Sequence, residues 1–560
     1  MRKLVIFLTL CLPGFAAAAD DGLLKILSEE LDRNFKVLSE KADPKPYYIS
    51  YSVTERHNNT MTAELGALVS NDSRHIRQLD VTVRVGSPKV DNYHPIRGNT
   101  ARFASGITIP IDDSPDAIKR RVWNETDRVY RLAAQRLINI TTSNDVQAAK
   151  IDNSDDFTVG GMGLVESEKP IELKFDVNEW TRRLKTLSGR FSKYPQFLES
   201  NVGISAQTEW KYFVDTEGAR LSHGRPYSRI VINASAKAAD GMDLNTYDSI
   251  SAGEPGKLPS DADLAKKLDK VAEDLAGLLK APIVQPFVGP AILSGRAAGV
   301  FFHEIFGHRI EGHRLKDESD GQTFAKQIGQ PVLPKFLSVT FDPTLHQMAG
   351  QELNGWFDFD DEGVRSRKVN IVESGILKSF LMSRTPTPVV TVSNGHGRKE
   401  PGREVVSRQS NLIVETSTHV TDARLREMLI EEIKRQNKPF GYYFADITGG
   451  YTNTQRGGIQ AFKVIPLVVY RVFPDGRPDE LVRGTDLVGT PLASFGKILA
   501  AGESVDVFNG YCGAESGSVP VSAISPPLLV SEIEIQKNDA STDRPPILPA
   551  PVLAASGGAR

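Results

Sequence analysis

The character of this 560-residue chain changes after Pro282, and that change constrains its architecture more than any other feature. Before it, helical and strand patterns alternate. After Pro286, glycines and β-branched residues dominate. Residues 21–41 place Leu23, Leu24, Ile26, Leu27, Leu31 and Phe35 at helical spacing. Asp112–Thr142 opens on DDSPDA, an acidic start with proline near the first turn. Pro259–Lys280 has an acidic start and a basic end that suit the helix dipole. Asn178–Phe191 reads as another helix. Between these lie β-like runs at Tyr47–Thr54, Met61–Ser70 and Arg77–Val85, the last alternating as QLDVTVRV. Polar clusters at Arg56–Asn59 and Asn71–Arg74 predict hairpin loops between them. Strands resume at Gly203–Asp215 and Arg229–Ala234. Beyond Pro286 the strand candidates are Val369–Val372, Ile376–Met382, Leu412–Glu415, Ile459–Val472 and Leu528–Ile535.

The expectation is an α+β protein. A mixed α/β domain spans 20–285, and a largely antiparallel β domain carrying the chemistry spans 286–536. The Pro- and Ala-rich residues 537–560 read as a mobile tail. The N-terminus has a different character. Arg2 and Lys3 precede the apolar stretch Leu4–Leu12, too short to span a bilayer, and Ala17 and Ala19 offer an A-x-A cleavage site. Residues 1–19 are therefore expected to be a signal peptide, with export to the periplasm and no stable membrane anchor. The formal net charge of −3 lacks the basic surplus of a nucleic-acid binder, so nucleic acid is not an expected partner.

Cleavage after Ala19 removes Cys11 and leaves Cys512 as the single cysteine. A free thiol in an oxidising compartment is reactive, so a lone cysteine there is either buried and inert or bound to something. The segment GVFFHEIFGHRIEGHR (299–314) supplies a partner: His303, Glu304 and His308 form HExxxH. The familiar metallopeptidase spacing is HExxH, with both histidines on one helix face. Here the histidines are five apart, about 140° round an undistorted helix, too far to share an ion. A metal reading therefore requires a π-bulge or a break near Gly307. Given that break, the two imidazoles and a third ligand would hold Zn²⁺ with a position open for water, and Glu304 would act as general base and acid. Cys512 is the preferred third ligand, because coordination accounts for an exported lone cysteine. His313, again five residues on, is the rival. A structural helix with two solvated histidines and one core histidine is the plain alternative.

His303–Glu304–x–x–Gly307–His308–x–x–Glu311 resembles the metal motif of the TldD half of the TldD/PmbA (TldE) family of zinc metallopeptidases. The resemblance continues through FDFDDEG (357–363), NGHGRKEP (394–401), ADITGG (445–450), VRGTDLVGT (482–490) and YCGAESGSVPVSAISPPLLV (511–530). It covers 286–536, and the first half is similar only in its order of elements. It implies zinc ligation by His303, His308 and Cys512, catalysis by Glu304, and hydrolysis of small, unfolded or modified peptides. It also implies pairing of a TldD-like subunit with a TldE-like one that lacks the motif, a substrate strand being held by main-chain hydrogen bonds. The chain departs from the family at His313, where an aspartate is usual, so Glu311 and His313 are candidates for tuning the ligands from behind. Familiar members are cytoplasmic, so export calls for a homodimer or an exported paralogue as partner.

His396 and Arg398, in a Gly-flanked loop, are candidate contacts for a substrate carbonyl or carboxylate. Asp358, Asp360, Asp361 and Glu362 lack calcium-loop spacing and predict a polar turn. His57, His75, His94, His223, His346 and His419 show no partner spacing. The expected function is a zinc metallopeptidase of small or unfolded peptides. Its rivals are a non-hydrolytic TldE-like binding subunit and a zinc amidase or deacylase.

Overall fold

The computed structural model describes residues 22–551 apart from 97–99, 143–152, 162, 317–319, 321, 456–461, 490–493, 539–543, 547 and 549–550. The expected signal peptide at 1–19 lies outside the described residues, as does most of the expected tail. Six α-helices and mostly antiparallel sheets make up the described chain, an α+β fold. None of these helices is long and apolar enough to cross a membrane.

The first sheet is built from unusually long antiparallel strands. Pro46–Glu64 pairs with Ala67–Ser87 on one side and with Glu199–Asp215 on the other; Arg220–Lys237 and Asp243–Ala252 follow. The predicted loops at Arg56–Asn59 and Asn71–Arg74 are instead mid-strand, with Asn58 opposite Arg74 and Asn59 opposite Ser73. Polar residues that face each other across a half-exposed ladder satisfy one another and need no turn. The actual turn is Leu65–Gly66, with φ of 46° and 84°. Positive φ at both central residues suits a tight hairpin, because its twist matches that of the strands.

One face of this sheet is buried in two places. Helices Gly22–Lys41 and Pro115–Thr142 cover Ile49, Tyr51, Val53 and Val81. Helices Val177–Ser188 and Asp261–Leu278 cover Met61, Ala63, Ile204 and Ile232. The latter starts at the Ser260 cap, whose side chain accepts from the Asp263 amide. Alternation puts Glu55, His57 and Asn59 on this same face between the two cores, where they line a groove. The opposite face meets the C-terminal half. Lys211 pairs with Asp361 at 2.6 Å, Arg225 donates to the Asn354 carbonyl at 2.7 Å, and Phe213 packs on Phe359.

The C-terminal half holds two further large sheets. Five strands close into a ring: Gly441–Thr452, Phe287–Leu293, Leu528–Lys537, Thr485–Gly489 and Phe462–Val472, the last pairing back onto the first. A six-stranded sheet runs from Ile376–Leu377 through Asn411–Thr416 and Gly517–Ser525 to Asp506–Ala514. Helix Gly295–Ile305 contacts strands of both sheets and is buried on nearly every side, as its apolar AAGVFF run demands. A Cβ at Gly299 would lie 3.0 Å from the Ala523 carbonyl oxygen, so glycine lets the helix settle onto that strand. Helix Asp422–Arg435, which lacked a sequence prediction, packs outside the ring on Ile292, Val472 and Leu529.

Candidate metal centre

The helix carrying His303 and Glu304 stops at Ile305, and a 3-10 turn over Gly307–Arg309 follows. The break therefore falls where HExxxH needs one. It swings His308 back beneath His303, with ring centroids 5.1 Å apart. Two neighbours fix it. Gln409 donates to the His303 carbonyl at 3.3 Å, and its side chain lies so close that a Cβ at Gly307 would be 2.0 Å from the amide oxygen. Arg309 turns back over the helix end and donates to the Glu304 and Ile305 carbonyls at 3.1 Å each, a cation at the negative end of the dipole. Burial, then repulsion from Arg314, lowers the Arg309 guanidinium to about 10, still cationic at neutral pH.

Cys512 reaches the same point from strand Asp506–Ala514. Its Sγ is 3.4 Å from His308 Nε2, and the donor atoms of His303, His308 and Cys512 all lie within 4.8 Å of one another. Tetrahedral zinc, with bonds of about 2.0–2.3 Å, sets its ligands roughly 3.3–3.6 Å apart. The donor set thus fits a zinc ion with small side-chain shifts. Burial would raise the Cys512 thiol, but His308 and His303 outweigh it and hold it well below its ordinary value. Burial would lower His308, and Cys512 and Glu311 outweigh it in turn. Glu304 lies beside the cluster, its Oε2 4.0 Å from His308 Nε2. Burial pushes its carboxyl upward, with the two imidazoles opposing. The ADITGG run has a steric role here: a Cβ at Gly450 would lie 2.7 Å from Glu304 Cγ.

Residues 288–537 match the PmbA/TldA metallopeptidase C-terminal domain. The match takes in 250 of the 560 residues, and His303, Glu304, His308 and Cys512 all fall within it. An Archaeoglobus fulgidus protein named "Metalloprotease" is 31% identical over 265 residues, 47% of this chain and 57% of that protein. A Methanothermobacter thermautotrophicus protein of the same name is 25% identical over 402 residues, 71% of this chain and 82% of the relative. A Saccharolobus solfataricus "Zinc metalloprotease TldD homolog" is 26% identical over 275 residues, 49% of this chain and 57% of that protein. The chain thus spans little more than half the length of two of these three. Among solved structures, TldE from Thermococcus kodakarensis shares the fold with a TM-score of 0.58 at 12% identity, over 91% of this chain and 100% of that one.

Within this matched segment, Glu311 sits directly behind His308. It is fully buried, its Oε2 is 3.2 Å from His308 Nδ1, and Arg314 donates to it at 2.9 Å. Burial would raise the Glu311 carboxyl, but His308 and Arg314 hold it down to about 2. His313 stands apart from the cluster, its Nε2 paired with Glu515. His396 is fully buried between Ser410 Oγ and the Asn394 carbonyl, each at 3.1 Å, and burial drives it down to about 3. Arg398 donates to the carbonyls of Gln409 at 2.6 Å and Pro520 at 2.8 Å, and lies over the Phe357 ring. Both side chains therefore hold the loop to its neighbouring strands. The acidic run is a turn: Asp360 accepts from the amides of Glu362, Val364 and Gly397.

Sequence reasoning missed Arg408. It is fully buried, donates to the Cys512 carbonyl at 2.5 Å and the Ser516 hydroxyl at 2.7 Å, and its Nε lies 3.5 Å from Glu311 Oε1. One side chain thus ties the cysteine strand to the carboxylate behind His308. A buried arginine in SRQSN has no period or spacing to reveal it.

Proposed function

We propose that this chain is a zinc-dependent metallopeptidase that hydrolyses small or unfolded peptides. The observation that carries the reading is the convergence of His303, His308 and Cys512 donor atoms within 4.8 Å, with Glu304 alongside. The relatives' names, metalloprotease and zinc metalloprotease, support the reaction class and the metal. When bound, zinc supplies Lewis acidity and lowers the pKa of water. The chain's own groups do the rest. Glu304, kept from full solvation, accepts a proton from the attacking water and returns it to the leaving amine. Glu311 and Arg314 hold the His308 ring from behind. Arg408 holds the Cys512 backbone.

We further propose export to the periplasm, resting on the basic, apolar and small-residue order of the first nineteen residues. The partner we propose is a second copy or an exported TldE-like paralogue, a reading supported by the TldE name of a fold neighbour. The test is Glu304→Ala assayed on a casein-like peptide mixture. Retained zinc with lost cleavage is expected, and full cleavage would refute the assigned mechanism.

A further inference from the structure

A second set of ligating side chains lies far from the HExxxH helix, on the first sheet. His57 and His75 are direct cross-strand partners, their rings stacked at 3.6 Å. Glu55, two residues before His57 and so on the same face, places its Oε1 2.6 Å from His75 Nε2 and 3.7 Å from His57 Nε2. All three donor atoms lie within 4.8 Å of one another. They line a groove of about 790 Å³ that runs between the two helix-covered cores. Gly22, at the start of the first helix, and residues 167–173 line it as well.

We propose that Glu55, His57 and His75 form a second divalent-metal site, selective for zinc-like ions, open to this groove. Two imidazoles and a carboxylate suit zinc and its neighbours rather than calcium or magnesium, which prefer all-oxygen shells. The carboxylate is held as a ligand should be: Glu55 Oε2 pairs with Arg77 at 2.9 Å, and Arg77 is anchored in turn by Asp113 at 2.7 Å. Glu55 Oε1 is left facing the histidines. Stacked rings must diverge slightly for both Nε2 atoms to face one ion. His57, whose side chain is 51% exposed, has the freedom to turn. With three protein ligands, the remaining coordination position opens on the groove for water or a small anionic ligand.

The test is titration of the purified full-length chain with Co²⁺, followed by optical absorption. Thiolate charge transfer that Cys512→Ser abolishes reports the Cys512 site. Ligand-field bands that keep growing after it saturates report the site without sulfur. The expected result is a second equivalent in wild type that disappears in His57→Ala and in His75→Ala, with the thiolate phase unchanged. A Zn²⁺ titration by calorimetry should show the same loss of one equivalent. If the second phase is absent from wild type, or survives both substitutions, the proposal is overturned. Failure of the Cys512 reading would remove only the thiolate phase, so the two results are separable. Circular dichroism of the variants checks that the long hairpin still folds.

Discussion

The two donor clusters share imidazole chemistry but sit in opposite surroundings. His303, Glu304, His308 and Cys512 are 3–7% exposed, inside the C-terminal half. His57 and His75 lie on a groove floor, with side chains 51% and 28% exposed. Burial strips water from charged groups, so the buried cluster needs its own counter-charges: Glu311, Arg314 and Arg408 supply them. The groove cluster needs only Arg77 and Asp113, because solvent does the remainder. The buried site is thus rigid and costly to alter, while the groove tolerates change.

That contrast can be broken in several ways. The largest effect should come from Glu304→Gln, which removes the proposed proton carrier but none of the proposed metal ligands. Cleavage should fall by about 10²–10⁴-fold with bound zinc unchanged in elemental analysis. Arg408→Ala leaves the Glu311 carboxylate short of one buried partner and the Cys512 carbonyl without its donor. A loss of roughly 3–5 kcal/mol in urea unfolding is expected, and a loss below 1 kcal/mol would mean the buried network is not what supports the site. On the sheet's other face, Arg56 pairs with Glu209 at 2.7 Å. Burial would raise that carboxyl, but Arg56 leads the charges that hold it down to about 2, from an ordinary 4.5. A depressed carboxylate stabilises the fold above its unfolded pKa. This contribution should be present above about pH 4.5 and fade as pH falls toward 2, an effect on the order of 2 kcal/mol after allowance for partial exposure. Arg56→Met should flatten that part of the stability–pH curve. The smallest effect belongs to His57→Ala: unfolding free energy in the absence of metal should change by no more than about 0.5 kcal/mol.

Much of this was legible in the sequence where the signal is local. The helix at 22–41 announces itself by apolar spacing, and those at 115–142 and 261–278 by their acidic starts. The need for a break near Gly307 follows from arithmetic on a five-residue spacing, and the helix stops at Ile305. Long-range pairing was hidden. The runs at Arg56–Asn59 and Asn71–Arg74 look like loops until each is seen opposite the other. His57 and His75, eighteen residues apart in sequence, meet only through that register. Arg408, and the structural use of His396 and Arg398, depend on burial inside the C-terminal half, which no linear pattern encodes. Gly307 marked the break in advance, but the press of Gln409 against it, and of Glu304 against Gly450, shows only in the fold.

The most direct test of the central claim is metal content beside cleavage in Cys512→Ser, measured against wild type. The expected result is loss of the thiolate charge-transfer band on cobalt loading, one fewer zinc per chain, and no peptide hydrolysis. A Cys512→Ser protein that keeps its full zinc complement and cuts peptides at the wild-type rate would contradict the account.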